Sequence, residues 1–174
     1  MKRCKHCKEP FQAIHWNQKY CLKEECKQYW FAEAWKTRRK QIKQDLETLP
    51  EALAKTQKIF NQFIRLRDEG QRCISCGKVP KKKNAGHYFS AGGHSNVRFD
   101  EFNVHLQCEH CNTSLSGNLI PYRKNLKKKI GDDQFVYLEQ RAYLIKKWSK
   151  DELLIIQEEY KEKIKTLKNL HIKK

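Results

Sequence analysis

The chain has 174 residues, 39% hydrophobic and 33% charged, which is too apolar for full disorder and thin for one large core, so small modules with local cross-links are expected. Lys and Arg total 37 against 20 Asp and Glu, a formal +17 that favours a polyanionic partner, because each neutralised phosphate releases a counterion. No stretch reaches the roughly 20 apolar residues that span a bilayer and no apolar leader follows Met1, so a membrane partner is set aside and a cytoplasmic protein is expected. In a reducing compartment the eight cysteines point to metal rather than to disulfides.

In chain order, Cys4-x2-Cys7-x13-Cys21-x4-Cys26 reads as one four-thiolate zinc site, with Phe11, Trp16 and Tyr20 expected to pack around the ion. From Cys26 to about Glu47 there is no Gly or Pro, and Trp30, Phe31, Ala34, Trp35, Ile42 and Leu46 recur at helical spacing. Lys36, Arg38, Arg39, Lys40 and Lys43 lie between them, tracking a phosphate backbone or forming a solvated face. Thr48 and Glu51 have capping-box spacing around Pro50, so a second helix is expected to run to Glu69 and stop at Gly70. Its buried stripe would be Leu53, Ile59, Phe60, Phe63, Ile64 and Leu66.

A second cysteine-rich stretch, 72–118, follows. Gly131-Asp132 is expected to open a helix through Phe135, Leu138, Tyr143, Leu144 and Ile145, and Ser149 with Glu152 caps a last one. That helix carries Leu153, Ile156, Tyr160, Ile164 and Leu167 at three- and four-residue steps before a lysine-rich tail. Four regions result: a zinc module at 1–26, a helical linker at 27–70, a core at 71–125, and C-terminal helices at 126–174.

The second quartet is Cys73-x2-Cys76 and Cys108-x2-Cys111, two knuckles across a long insertion. Four thiolates close a tetrahedral zinc and leave no position for water, so this ion is structural and any chemistry belongs to the insertion. There the chain offers Asn84-Ala85-Gly86-His87-Tyr88, the turn Gly92-Gly93, then His94, Arg98, Asp100 and Asn103, with His110, Asn112 and Asn118 around the last knuckle. Phosphodiester hydrolysis needs a base, a divalent ion and hard or imidazole ligands for that ion, and these residue types are all present.

Gly86-His87-Tyr88, the glycine turn, the run Asn103 to Cys108 and the pair Cys111-Asn112 resemble an HNH endonuclease motif. The fuller strings Ala85 to Ser90, Arg98 to Cys108 and Ser116-Gly117-Asn118 resemble the NinG/Rap recombination endonucleases of lambdoid phages, over roughly residues 70–125 and loosely over the whole chain. The layout is also similar to phage endonuclease VII. The resemblance implies a mostly helical α+β fold with a treble-clef-like ββα-metal core, two structural Zn²⁺ and one catalytic Mg²⁺ or Mn²⁺. It implies hydrolysis of branched DNA, of Holliday-junction or D-loop type, by a phage or prophage protein in a bacterial host.

On that resemblance His87 is the general base, Asn103 orients it and Asn112 is a metal ligand. The sequence departs from many HNH enzymes in placing Gly86, not an acidic residue, before His87. Asn84, His94 or Asp100 would then complete the ion's ligands with His87 and Asn112, with His94 and Asp100 favoured because imidazole and carboxylate bind divalent ions better than an amide. Arg98 would meet the scissile phosphate or pair with Asp100 or Glu101, and Arg38, Arg39, Arg123, Lys124, Lys127 and Lys128 would hold the backbone or form a solvated face. Cutting two strands together suggests a homodimer through the long helices. The competing reading is a non-catalytic zinc-finger protein that binds nucleic acid as a recombination accessory.

Overall fold

A computed structural model describes residues 1–172, without the side chains of 43–45, 171 and 172, so Lys43 and the lysine-rich end of the tail lie outside the described residues. The chain forms two units, Met1–Thr48 and Leu49–Lys174. The stretch 27–70, expected as one linker, is therefore divided between them.

The N-terminal unit pairs two short antiparallel strands, β1 (Lys2–Arg3) and β2 (Pro10–Phe11), and continues into helix α1 (Glu24–Leu46). Lys8 adopts a left-handed φ of 63° and donates to the Cys4 carbonyl at 3.0 Å, which folds Cys4 and Cys7 into a knuckle. Glu24 and Glu25 in the first turn of α1 suit its positive end and place Cys26 beside that knuckle. The buried cluster is Cys4, Cys21 and Cys26, with Cys7, Phe11 and Tyr20 partly buried around it. Trp16 does not join them and is 89% exposed, because so small a cluster has room for only two rings.

In the C-terminal unit helix α2 (Leu49–Arg67) precedes an antiparallel hairpin of β3 (Lys83–His87) and β4 (Val104–Cys108). Helices α3 (Leu119–Ile130), α4 (Asp132–Ala142) and α5 (Lys150–Ile172) follow. α2 and α5 pack in the same direction: Thr56 meets Leu153 and Gln157 near their starts, and Phe63 meets Tyr160 further along. Their seam, with Phe60, Ile64, Leu153 and Ile164, joins Phe99 and Val104 of the hairpin region in one apolar cluster. A second cluster of Val97, Tyr122, Leu126, Phe135, Leu138 and Ala142 holds α3 and α4 against the other side of the insertion. Among the described residues no helix is long and apolar enough to cross a membrane.

Two features differ from the sequence expectation, and the expected Ser149 cap is formed. α3 is a helix of its own that crosses the expected boundary at 125, because Tyr122 and Leu126, four apart, are fully buried beneath a lysine-rich exterior. The helix expected to reach Ile145 stops at Ala142, leaving Tyr143, Leu144 and Ile145 exposed. The chain leaves the helix there because Lys146 N donates to Ser95 Oγ at 2.9 Å and Trp148 Nε1 donates to the Ser95 carbonyl at 3.2 Å. The Ser149 cap forms in both directions, Ser149 N to Glu152 Oε2 at 2.9 Å and Glu152 N to Ser149 Oγ at 3.2 Å.

Candidate active site and zinc centres

Each cysteine quartet gathers its four sulfurs within 4.8 Å of one another. Cys7 and Cys21 Sγ are 3.7 Å apart and Cys76 and Cys108 Sγ are 3.8 Å apart. A tetrahedron of Zn–S bonds of about 2.3 Å has edges of about 3.8 Å, so these spacings fit a shared zinc ion better than a thiol hydrogen bond. Backbone N–H groups point at the sulfurs, Cys21 N at Cys4 Sγ (3.3 Å) and Cys111 N at Cys108 Sγ (3.4 Å). Burial pushes the Cys4 thiol up, but the N–H groups of Cys21, Cys7 and His6 outweigh it and bring the pKa to about 6. Burial and the crowding thiols push Cys26 and Cys111 up to about 12. A Zn²⁺ ion at the centre would supply the positive charge that lets all four thiols ionise together.

The β3–β4 register runs from Lys83 opposite Cys108 to His87 opposite Val104. His87 thus lies four residues from the knuckle end of the hairpin, about 14 Å at ~3.4 Å per residue. Beyond it, Asn103 is fully buried and spent on backbone: its Oδ1 accepts from Phe89 N (2.8 Å), and its Nδ2 donates to the carbonyls of Phe89 and Val97 (both 2.9 Å). Those bonds fasten the loop around His87.

His87 Nε2 is 3.0 Å from the Arg98 carbonyl. A carbonyl only accepts, so Nε2 carries the proton and Nδ1 the lone pair. Burial holds the His87 pKa below the ordinary value, and the Arg98 charge adds to this against the opposing hydrogen bond to the Arg98 carbonyl. The imidazole is therefore a neutral base. One lone pair serves as base or as metal ligand, so the two roles expected of His87 exclude each other.

Arg98 forms neither expected ion pair. Its Nε donates to Gln57 Oε1 at 2.8 Å, and among the described residues it has no carboxylate partner. Asp100 is taken by Arg141 Nη1 (2.7 Å) and Phe102 N (2.8 Å), and Glu101 by Lys163 Nζ (2.8 Å) and Tyr160 Oη (3.2 Å). His94 donates from Nδ1 to the Ala142 carbonyl (3.0 Å), with its ring edge-on to Phe89 and Tyr143. Among the described residues the only sets of three or more His, Cys, Asp or Glu donors within 4.8 Å are the two quartets, so His87, His94 and Asp100 do not converge. Asn112, in a π turn (His110–Ser114) just after Cys111, is half-buried, and its side chain makes no hydrogen bond among the described residues.

A Cβ on Gly86 would lie 2.0 Å from Gln107 Oε1, inside the fold. The departure at Gly86 is therefore built into the packing, since a carboxylate there would be driven into buried Gln107. Three supports were not visible in the sequence. The fully buried Tyr122 donates to the Gly86 carbonyl at 2.8 Å, and Asp68 Oδ2 accepts from Leu106 N at 2.9 Å. Arg67 grips the same carboxylate and donates to the Val104 carbonyl at 2.9 Å. No local spacing marks these residues, because their partners are 36–38 positions away.

Of the expected backbone cations, Arg123 pairs with Glu139 and Lys127 with Asp132, each at 3.0 Å, and both lie over the Phe135 ring. Lys124, Lys128, Arg38 and Arg39 are exposed and have no acidic partner among the described residues.

A family model described as the Bacteriophage Lambda NinG protein matches residues 32–170. The chain is 34% identical over 190 aligned positions to protein ninG of Escherichia phage 933W, covering 97% of this chain and 94% of that protein. It is 38% identical over 118 positions to protein ninG of Escherichia phage lambda, covering 67% of this chain and 57% of that protein. To protein ninG of Salmonella phage P22 the identity is 38% over 118 positions, covering 67% and 58%. No solved structure matches. A match that spans the hairpin, both insertion clusters and most of α1 makes this chain a member of the bacteriophage lambda NinG family.

Proposed function

We propose that this NinG-family protein is an HNH-type, metal-dependent endonuclease that hydrolyses phosphodiesters in branched recombination intermediates, of Holliday-junction or D-loop type, inside the bacterial host. The observation that carries the reading is His87: a neutral imidazole at the end of a zinc-anchored hairpin, its Nε2–H fixed on the Arg98 carbonyl and its Nδ1 lone pair uncommitted. Nδ1 takes a proton from a water whose oxygen attacks phosphorus, the P–O bond to the leaving strand breaks, and the departing oxygen takes up a proton from solvent. Arg98, charged and free of carboxylates, contributes its guanidinium to the phosphate oxygens.

A Mg²⁺ or Mn²⁺ ion would neutralise charge on the phosphate and the leaving oxygen. The expected protein ligands do not form a ready-made site for it, since Asp100 is spent on Arg141 and His94 Nδ1 on the Ala142 carbonyl, which leaves the amides of Asn84 and Asn112 uncommitted among the described residues. That dispersal supports the second reading, a zinc-stabilised DNA-binding accessory without hydrolytic activity. Matched junction, flap and linear duplex substrates separate the two, with and without each metal, for wild type and a zinc-replete His87→Ala variant. Metal-dependent cutting of branched DNA that disappears in the variant while binding persists supports the endonuclease; tight binding without cutting under any metal supports the accessory. Paired cuts would require two sites, hence a homodimer.

A further inference from the structure

The N-terminal unit leaves a row of aromatic rings uncovered. On α1, Trp30, Phe31 and Trp35 are all about half exposed, and Phe31 and Trp30 border a groove of about 600 Å³ completed by Lys19, Tyr20, Leu22 and Lys27. The cations follow the rings: Lys27 precedes Trp30 and Phe31 by three and four residues, and Arg38 and Arg39 follow Trp35 by three and four, so ring and charge share a face. Arg38, Arg39 and Lys40 have no acidic partner among the described residues. Residues 1–48 hold twelve Lys and Arg against six Asp and Glu, a net +6.

We infer that this face of α1 binds unpaired nucleic-acid strand, with bases stacking on Trp30, Phe31 and Trp35 while Lys27, Arg38 and Arg39 hold the phosphates. A duplex hides the faces of its bases; an unpaired strand offers rings and charge in alternation, as this helix does. The same chemistry argues against other occupants. A two-fold contact with a second copy would set Arg38 and Arg39 against an equally basic face. An anionic membrane selects helices whose apolar and charged faces are segregated, whereas Arg38 falls between Trp35 and Ile42 on one face of α1. The surface does not depend on hydrolysis at His87.

The test uses the full zinc-loaded chain and a thymidine 20-mer against a 20-base-pair duplex, following tryptophan fluorescence and affinity. Phe31→Ala with Trp35→Ala is expected to weaken 20-mer binding about tenfold per ring while duplex affinity changes little, and Trp35→Phe, which keeps a ring, to bind nearly as wild type. Arg38→Gln with Arg39→Gln is expected to flatten the salt dependence of log affinity by about 1.4. Equal 20-mer affinity in the folded double-alanine variant overturns the inference. So does the same substitution abolishing self-association in sedimentation, or binding to phosphatidylglycerol vesicles, without affecting the 20-mer. His87→Ala is expected to bind the 20-mer as wild type, so a failure of this grip and a failure of cutting are read separately.

Discussion

Both units carry four cysteines set for zinc, yet the surroundings differ. Among the described residues of Met1–Thr48 the buried ones are Cys4, Cys21 and Cys26 themselves, so an ion held by them would stand where a hydrophobic core would be. In Leu49–Lys174 the quartet lies at one end of a hairpin that two apolar clusters already hold, so an ion there would act as a clip. The same ligand set is thus the whole fold in one place and a local constraint in the other.

Chelation breaks this comparison most sharply. Removing zinc is expected to unfold the N-terminal unit entirely, because binding free energies on the order of 10 kcal/mol are folding free energy in modules of this kind. The α2–α5 seam should survive, so hydrogen exchange would show protection lost at Cys4–Cys26 and kept at Phe60–Ile64. Phe60→Ala is the converse experiment. Its ring lies edge-on to Phe99 and Tyr160 at the centre of the seam, and truncation should cost about 3–5 kcal/mol in denaturant melts without releasing zinc from the N-terminal quartet.

Much of this division was legible in the sequence. Cysteine spacing located both four-cysteine clusters, and three- and four-residue periodicity located α1, α2 and α5, since both signals are local. Trp16 misled because an aromatic near a zinc knuckle looks like core, while the knuckle has room only for Phe11 and Tyr20. Tyr143 to Ile145 misled because their spacing continues α4, and only the distant Ser95 takes the chain elsewhere. At the site, the hairpin order around His87 was readable, whereas the commitments of Asp100 to Arg141 and of Arg98 to Gln57 span 41 residues each and have no local signature.

Gly86→Ala sharpens the account of the hairpin. The added Cβ meets Gln107 Oε1, so a loss of about 1–3 kcal/mol is expected, partly recovered with Gln107→Ala, and thermal melts of the single and double variants check it.

A smaller effect depends on pH. Burial depresses the pKa of His105 and His87 below the ordinary 6.5. As pH falls below about 6.5 the unfolded chain takes up protons that the folded chain refuses, so stability falls with pH in that window, at up to about 1.4 kcal/mol per pH unit for each group, and levels out above it. His105→Gln should remove part of the slope in urea titrations between pH 7 and pH 5.

In the proposed hydrolysis the neutral His87, rather than His94, activates water. Single-turnover cleavage of a branched DNA substrate in Mg²⁺ or Mn²⁺ by wild type, His87→Ala and His94→Ala tests it most directly. His87→Ala is expected to lose at least a hundredfold, within the range of a missing general base, and His94→Ala to change only a few-fold. Equal losses in both variants, or full activity without His87, would contradict it.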